Sequence, residues 1–116
     1  MRTFLLVLTL LAALGASPPP TQVTVALSNY RFDPPTIRLR HGQPYTLHLV
    51  NQTGRDHNFV APHFLAAAGA NRRAIEVPAG TSAKVAILAP ARGSYKVKCT
   101  HFTHSLRGMK GRIIID

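Results

Sequence analysis

Three kinds of soft metal-binding side chain lie close together near the C-terminus of this chain of 116 residues. The only cysteine, Cys99, is followed by His101, His104 and Met109. Thiolate, imidazole and thioether donors together are typical of a trigonal copper centre with two histidines, one cysteine and a weakly bound axial methionine. Zinc sites use cysteine, histidine and carboxylate ligands instead. The segment therefore predicts one type 1 copper ion, with one more histidine supplied from elsewhere in the chain.

The spacing of this segment reads Cys-x4-His-x4-Met if His104 is the histidine ligand, and Arg112 and three isoleucines follow at residues 112–115. This arrangement resembles the copper loop of the cupredoxins, the blue copper proteins. Residues 56–60, with the sequence Asp-His-Asn-Phe-Val, resemble the segment that carries the first histidine of that family. The resemblance covers most of the chain beyond its N-terminal leader.

The resemblance implies a ligand set of two histidines, the cysteine and the methionine. These are His57, Cys99, His104 and Met109. It also implies that Asn58 braces the ligand loop through hydrogen bonds, as residues around a metal site commonly do for its ligands.

His101 is a competing ligand. If the strand continued past Cys99, His101 would share its face, and Cys-x-His would bind the metal. Two points oppose this reading. Donors so close in an extended segment have little freedom to reach trigonal geometry, and the residue equivalent to His104 is the ligand in the similar loops. We therefore expect His101 to lie beside the site.

Each of the other donors also has an interpretation without a metal. Cys99 could be a small buried hydrophobic residue, and Met109 could fill a gap in the core. Against this, Gly108 and Gly111 predict a tight turn that presents Met109 to whatever Cys99 and His104 hold.

Apolar and polar residues alternate with a period of two in several short segments, which is typical of strands with one buried face. These segments are 23–27, 37–39, 45–49, 85–87 and 95–99. Turn-forming residues separate them. The pattern predicts an all-β, antiparallel Greek-key β-sandwich with one short helix within residues 62–69. Cys99 ends a strand and points inward, so the site is expected at one end of the sandwich.

Residues 1–17 have the features of a secretory signal: Arg2, an apolar run and then small residues. The alternative is an uncleaved membrane anchor, but the run is short for a span of about 20 residues. The copper-binding domain would then be residues 18–116. In an oxidising compartment a lone thiol is oxidised unless it is buried or metal-bound. The leader therefore predicts a periplasmic or secreted protein and favours a ligand role for Cys99.

The charge balance is strongly positive, with 14 Lys and Arg against 4 Asp and Glu, a net charge of +10. Such a field speeds encounter with anionic partners. We expect an acidic redox protein as partner, with an anionic membrane surface as another possibility, and a monomeric protein. The leader and the lack of a basic motif interleaved with aromatics argue against nucleic acid.

These features predict a carrier of single electrons that cycles between Cu(II) and Cu(I), and not an enzyme, because the acidic residues are few and scattered. The alternatives are a module for copper delivery or storage and an adhesion-type sandwich without metal. Electron exchange is expected through an exposed edge of His104. Leu106 and Phe64 would form a small apolar contact patch, with Arg107 and Lys110 around it.

Overall fold

The structure, a computed structural model, describes residues 19–101, 103–104 and 106–116. The predicted secretory signal at residues 1–17 lies outside them and stays a prediction. The described residues form nine strands and one helix. In chain order these are β1 (Thr21–Ser28), β2 (Arg31–Asp33), β3 (Thr36–Leu39), β4 (Pro44–Asn51), β5 (His57–Val60), α1 (Pro62–Ala67), β6 (Ala74–Val77), β7 (Ser82–Leu88), β8 (Gly93–Lys98) and β9 (Lys110–Ile115).

The strands form a four-stranded sheet in the order β2-β1-β4-β7 and a five-stranded sheet in the order β3-β9-β8-β5-β6. The predicted β-sandwich is confirmed, but its sheets are mixed where purely antiparallel ones were expected. β1 pairs with β4 in parallel, and β3 pairs with β9 in parallel. Between β1 and β4 the chain crosses to the other sheet to form β3, and such a crossover is what parallel neighbours require. The alternation of apolar and polar residues shows which face of a strand is buried. It does not show whether neighbouring strands run parallel or antiparallel.

Inward residues from both sheets form one hydrophobic core. β4 shows the alternation most clearly, with Tyr45, Leu47 and Leu49 buried between more exposed residues. The rings of Phe32 in β2 and Phe59 in β5 meet edge to face, with centroids 5.8 Å apart. This contact joins the two sheets, and burying side chains of this size contributes roughly 1.5–3 kcal/mol each.

The helix α1 forms where the sequence predicted one, with Pro62 in its first turn, where a missing N–H costs nothing. Phe64 and Leu65 are buried, and the Phe64 ring packs against Tyr95 of β8 with centroids 5.7 Å apart. Phe64 therefore belongs to the core, and its predicted place in a surface contact patch was wrong. The apolar side chains of α1 are buried because the helix packs against the sheet.

Among the described residues, no helix has the length and apolar character needed to cross a membrane.

Candidate metal centre

The four predicted ligands lie at one end of the five-stranded sheet. His57 is the first residue of β5, and Cys99 directly follows β8, the neighbour of β5 in that sheet. His104 and Met109 lie in the loop between β8 and β9. All four are buried: His57, Cys99 and Met109 are 0% exposed, and His104 is 4% exposed.

His57, Cys99 and His104 direct their donor atoms at one another. The Cys99 Sγ lies 3.4 Å from the His104 Nδ1 and 3.9 Å from the His57 Nδ1. The donor atoms of all three lie within 4.8 Å of one another. Bonds of about 2.0–2.3 Å to a metal place the donors of a trigonal set roughly 3.5–4 Å apart. The two distances from the Cys99 Sγ lie close to this range, so the three side chains form a candidate site for a single ion.

A hydrogen bond to Asn29 fixes which nitrogen of His57 faces the cluster. The His57 Nε2 lies 2.9 Å from the Asn29 Oδ1. An amide oxygen only accepts hydrogen bonds, so Nε2 carries the proton and Nδ1 keeps its lone pair toward Cys99. Histidines that bind metals commonly donate their other N–H in this way. Asn29 lies in the turn between β1 and β2, and nothing in the local sequence marked it.

Asn58 braces the ligand loop as predicted. Its Oδ1 accepts the backbone N–H of Thr100 at 2.8 Å, and its Nδ2 donates to the Thr100 hydroxyl at 2.9 Å. Its Nδ2 also donates to the Glu76 Oε1 at 2.9 Å. These bonds tie the residue after Cys99 to β5 and β6, so the thiol cannot move independently of the sheet.

His101 does not join the cluster, and its imidazole is tied to Glu76 instead. The His101 Nε2 lies 2.7 Å from the Glu76 Oε2. Burial alone would raise the pKa of Glu76, but hydrogen bonds from Asn58 and His101 outweigh burial and lower it. The structure thus favours the sequence interpretation in which His101 lies beside the site. Sequence reasoning missed Glu76, which is far away in the chain.

Backbone hydrogen bonds close the ligand loop on itself. The Cys99 N–H donates to the Met109 carbonyl at 3.1 Å, and the Met109 N–H donates to the His104 carbonyl at 3.0 Å. Gly108 has a φ of +95°, a conformation that favours glycine. The predicted tight turn before Met109 is therefore present, and it carries this buried residue back beside Cys99 and His104.

Gly111 fixes the position at which the loop returns to the sheet. A Cβ at this position would lie 2.6 Å from the Pro35 carbonyl oxygen, closer than real Cβ contacts come. The same carbonyl accepts the Arg112 N–H at 2.8 Å. The absence of a side chain lets β9 approach β3 two residues after Met109.

Burial lowers the pKa values of both clustered histidines. For His57 the largest cause is burial, followed by the charges of His104 and His101. For His104 it is again burial, followed by His101 and Arg55. Both imidazoles therefore stay neutral at neutral pH, and the neutral form is the one that binds a metal.

His104 is the one member of the cluster that reaches the surface. It lines a depression of about 200 Å³ with Arg55, Asp56 and His101. Its exposed edge is smaller than the sequence suggested, because the Tyr30 ring lies 4.8 Å from the His104 ring. The Arg107 guanidinium in turn lies 5.0 Å from the centre of the Tyr30 ring. Sequence reasoning gave no role to Tyr30.

The comparison with family models matches residues 1–115 to the cupredoxin-like domain. Among solved structures, auracyanin B is 26% identical with a TM-score of 0.65, over 87% of this chain and 93% of its own. The dithionite-reduced auracyanin of Roseiflexus castenholzii is 24% identical with a TM-score of 0.68, over 88% and 99%. Auracyanin A of Chloroflexus aurantiacus, a blue copper protein, is 21% identical with a TM-score of 0.64, over 84% and 100%. The comparison with curated protein sequences finds no match.

The comparisons and the donor set agree on the metal. Cupredoxins bind one copper ion, and His57, Cys99 and His104 form the candidate site for it here. A thiolate with two imidazoles suits copper and does not suit the oxygen-seeking ions magnesium and calcium. Because the family model spans nearly the whole chain, this protein belongs to the cupredoxin-like domain family.

Proposed function

We propose that this protein carries single electrons between redox partners through one type 1 copper ion. The observation that carries the proposal is the pair of imidazole Nδ1 atoms directed at the buried Cys99 Sγ, at 3.4 and 3.9 Å. His57, Cys99 and His104 would hold the copper in a trigonal set. When bound, the copper supplies a one-electron couple between Cu(II) and Cu(I).

The residues around the cluster would keep the ligands in place during electron exchange. Asn29 orients His57, and Asn58 ties Thr100 to the sheet. Ligands held by such bonds change position little when the metal changes oxidation state. Burial of the cluster excludes water as a further ligand. Together these features support fast electron exchange.

Met109 is the proposed axial ligand. Its complete burial and its backbone bonds to Cys99 and His104 support this role. Met109→Leu should keep the blue spectrum and raise the reduction potential, because loss of a weak donor disfavours Cu(II) more than Cu(I). Voltammetry of the two proteins measures the shift. An unchanged or lower potential at an intact site would assign Met109 to core packing.

We further propose a periplasmic or secreted location, a monomeric state and an acidic redox partner. The apolar N-terminal stretch and the buried single thiol support the location. The net charge of +10 supports an acidic partner. Leu106, which is 84% exposed in the ligand loop, would provide an apolar contact close to His104.

The test is an optical and electron paramagnetic resonance spectrum of the copper-loaded protein. A strong visible band from thiolate-to-copper charge transfer is expected, and Cys99→Ser should abolish it. A band that persists in this variant would refute the assigned centre. The rate of electron self-exchange then separates a carrier from a protein for copper delivery or storage. A slow rate, combined with ready loss of copper to a chelator, would favour delivery.

A further inference from the structure

Four positively charged side chains lie close together on the outer face of the five-stranded sheet. They are Lys96 and Lys98 in β8 and Lys110 and Arg112 in β9, and all four are exposed. Lys96 lies directly opposite Arg112, and Lys98 lies directly opposite Lys110. We call these four residues the basic face.

The basic face places like charges opposite each other twice. Directly opposed side chains on antiparallel strands have Cβ atoms about 4.5–5.5 Å apart, and like charges there are destabilising. Within the described part of the chain, the ion pairs are Arg38 with Asp116 and His101 with Glu76, so neither involves this face. No carboxylate among the described residues therefore forms an ion pair with the basic face and relieves this repulsion.

The surface around these cations is concave. A groove of about 1140 Å³ crosses β8 and β9, from Pro62 and His63 at the start of α1 to Pro35 and Thr36 at the start of β3. Along this groove, β8 pairs with β5 at Lys98 and Val60. Hydroxyl groups of Thr36 and Ser94 also line it. A concave, basic and hydroxyl-lined groove suits an extended acidic polypeptide better than the broad surface of a membrane.

The end of the groove at Lys98 and Lys110 adjoins the candidate metal centre. Lys98 directly precedes Cys99, and Lys110 directly follows Met109. A segment bound along β8 and β9 would therefore end within one or two residues of two proposed ligands. This surface is separate from the depression at His104, which Arg55, Asp56 and His101 line.

We propose that the basic face is the docking surface for an extended acidic segment of a protein partner. Carboxylates lying between the opposed cations would remove both like-charge contacts and gain attraction from four charges at once. Its use in electron transfer rests on the proposed function, whereas binding of the acidic segment does not.

The test uses a fluorescent oligoglutamate peptide and the full-length protein, both copper-loaded and metal-free. Binding is followed by anisotropy, and backbone amide shifts in the reduced protein locate the peptide. We expect binding in both forms, with shifts confined to residues 94–98, 110–112 and the adjoining groove. Binding should weaken as salt rises, because salt screens exposed charges.

Lys96→Glu/Arg112→Glu should weaken binding at least about tenfold, since like-charge contacts across an interface are strongly unfavourable. The control Lys84→Glu/Arg31→Glu makes the same charge change on the other sheet and should weaken binding much less. Lys96→Gln, which disturbs the fold less, should have an intermediate effect. The melting temperature of each variant is measured beside its affinity.

Equal losses in the two double variants would overturn the proposal, leaving only attraction by net charge. It would also be overturned if vesicles of phosphatidylcholine and phosphatidylserine shifted the same amides and the peptide did not. Neither result touches the visible spectrum, so failure of this proposal is distinguishable from failure of the copper assignment. Conversely, peptide binding without a blue spectrum would refute the proposed function and leave the docking proposal intact.

Discussion

The two histidines of the candidate metal centre are held in place by different parts of the fold. His57 belongs to a strand, is 0% exposed and donates from its outer nitrogen to Asn29. His104 belongs to a loop whose backbone bonds close on the loop itself, and one edge reaches a surface depression. The contrast suggests a division of roles, in which His57 fixes the centre to the sandwich and His104 connects it to the surface.

The largest expected effect tests this contrast directly. His104→Gly and His57→Gly should each remove the blue spectrum of the copper-loaded protein. Added imidazole should restore a strong visible band only in the His104 variant, because the depression gives small molecules access to that position alone. The measurement is an optical titration with imidazole. Equal rescue of both variants would mean that the two positions are equally accessible.

The next effect concerns the hydrogen bond that orients His57. Asn29→Ala should lower copper affinity by about 10–100-fold, the range found when a partner of a ligating histidine is removed. Asn29→Asp keeps an acceptor at the same place and serves as the matched control. Affinity is measured by competition with a chelator. If both variants bind copper as the parent does, Asn29 has no part in holding His57.

A third effect concerns the return of the His104 loop to the sheet at Gly111, away from the strand that carries His57. Gly111→Ala forces a Cβ against the Pro35 carbonyl and should destabilise the protein by about 1–3 kcal/mol. Gly54→Ala is the control, since no atom lies within 4 Å of the Cβ it would add. Thermal unfolding of both variants gives the comparison. Equal stability of the two would contradict the close approach of β9 to β3.

The smallest effect concerns the histidine left outside the cluster. His101→Ala should leave the position and intensity of the visible band nearly unchanged, because its Nε2 binds Glu76. The structural consequences expected are loss of the bond to Glu76 and a slightly wider depression at His104. Loss of the blue spectrum in this variant, with His104→Gly unaffected, would reverse the assignment of the two histidines.

Local chemistry and spacing were enough to predict much of this protein. The proposed donors Cys99, His104 and Met109 lie in one loop, so their proximity depends on a short stretch of chain. Short-range alternation likewise predicted the strands around Val25, Leu47 and Val97, because the face of a side chain follows from its position in the strand. The turn at Gly108 followed from residue type alone.

Only the tertiary structure decided which distant residues meet. Asn29 reaches the site from the turn between β1 and β2, and Glu76 reaches it from β6. The opposition of Lys96 to Arg112 depends on the register between β8 and β9. Strand register and strand direction arise from pairing across the sheet, and no single segment contains that information. The parallel pairing of β1 with β4 and the burial of Phe64 were missed for the same reason. Local sequence thus pointed to the candidate donors, and long-range packing determined that His57 meets Cys99 and His104 and which residues surround them.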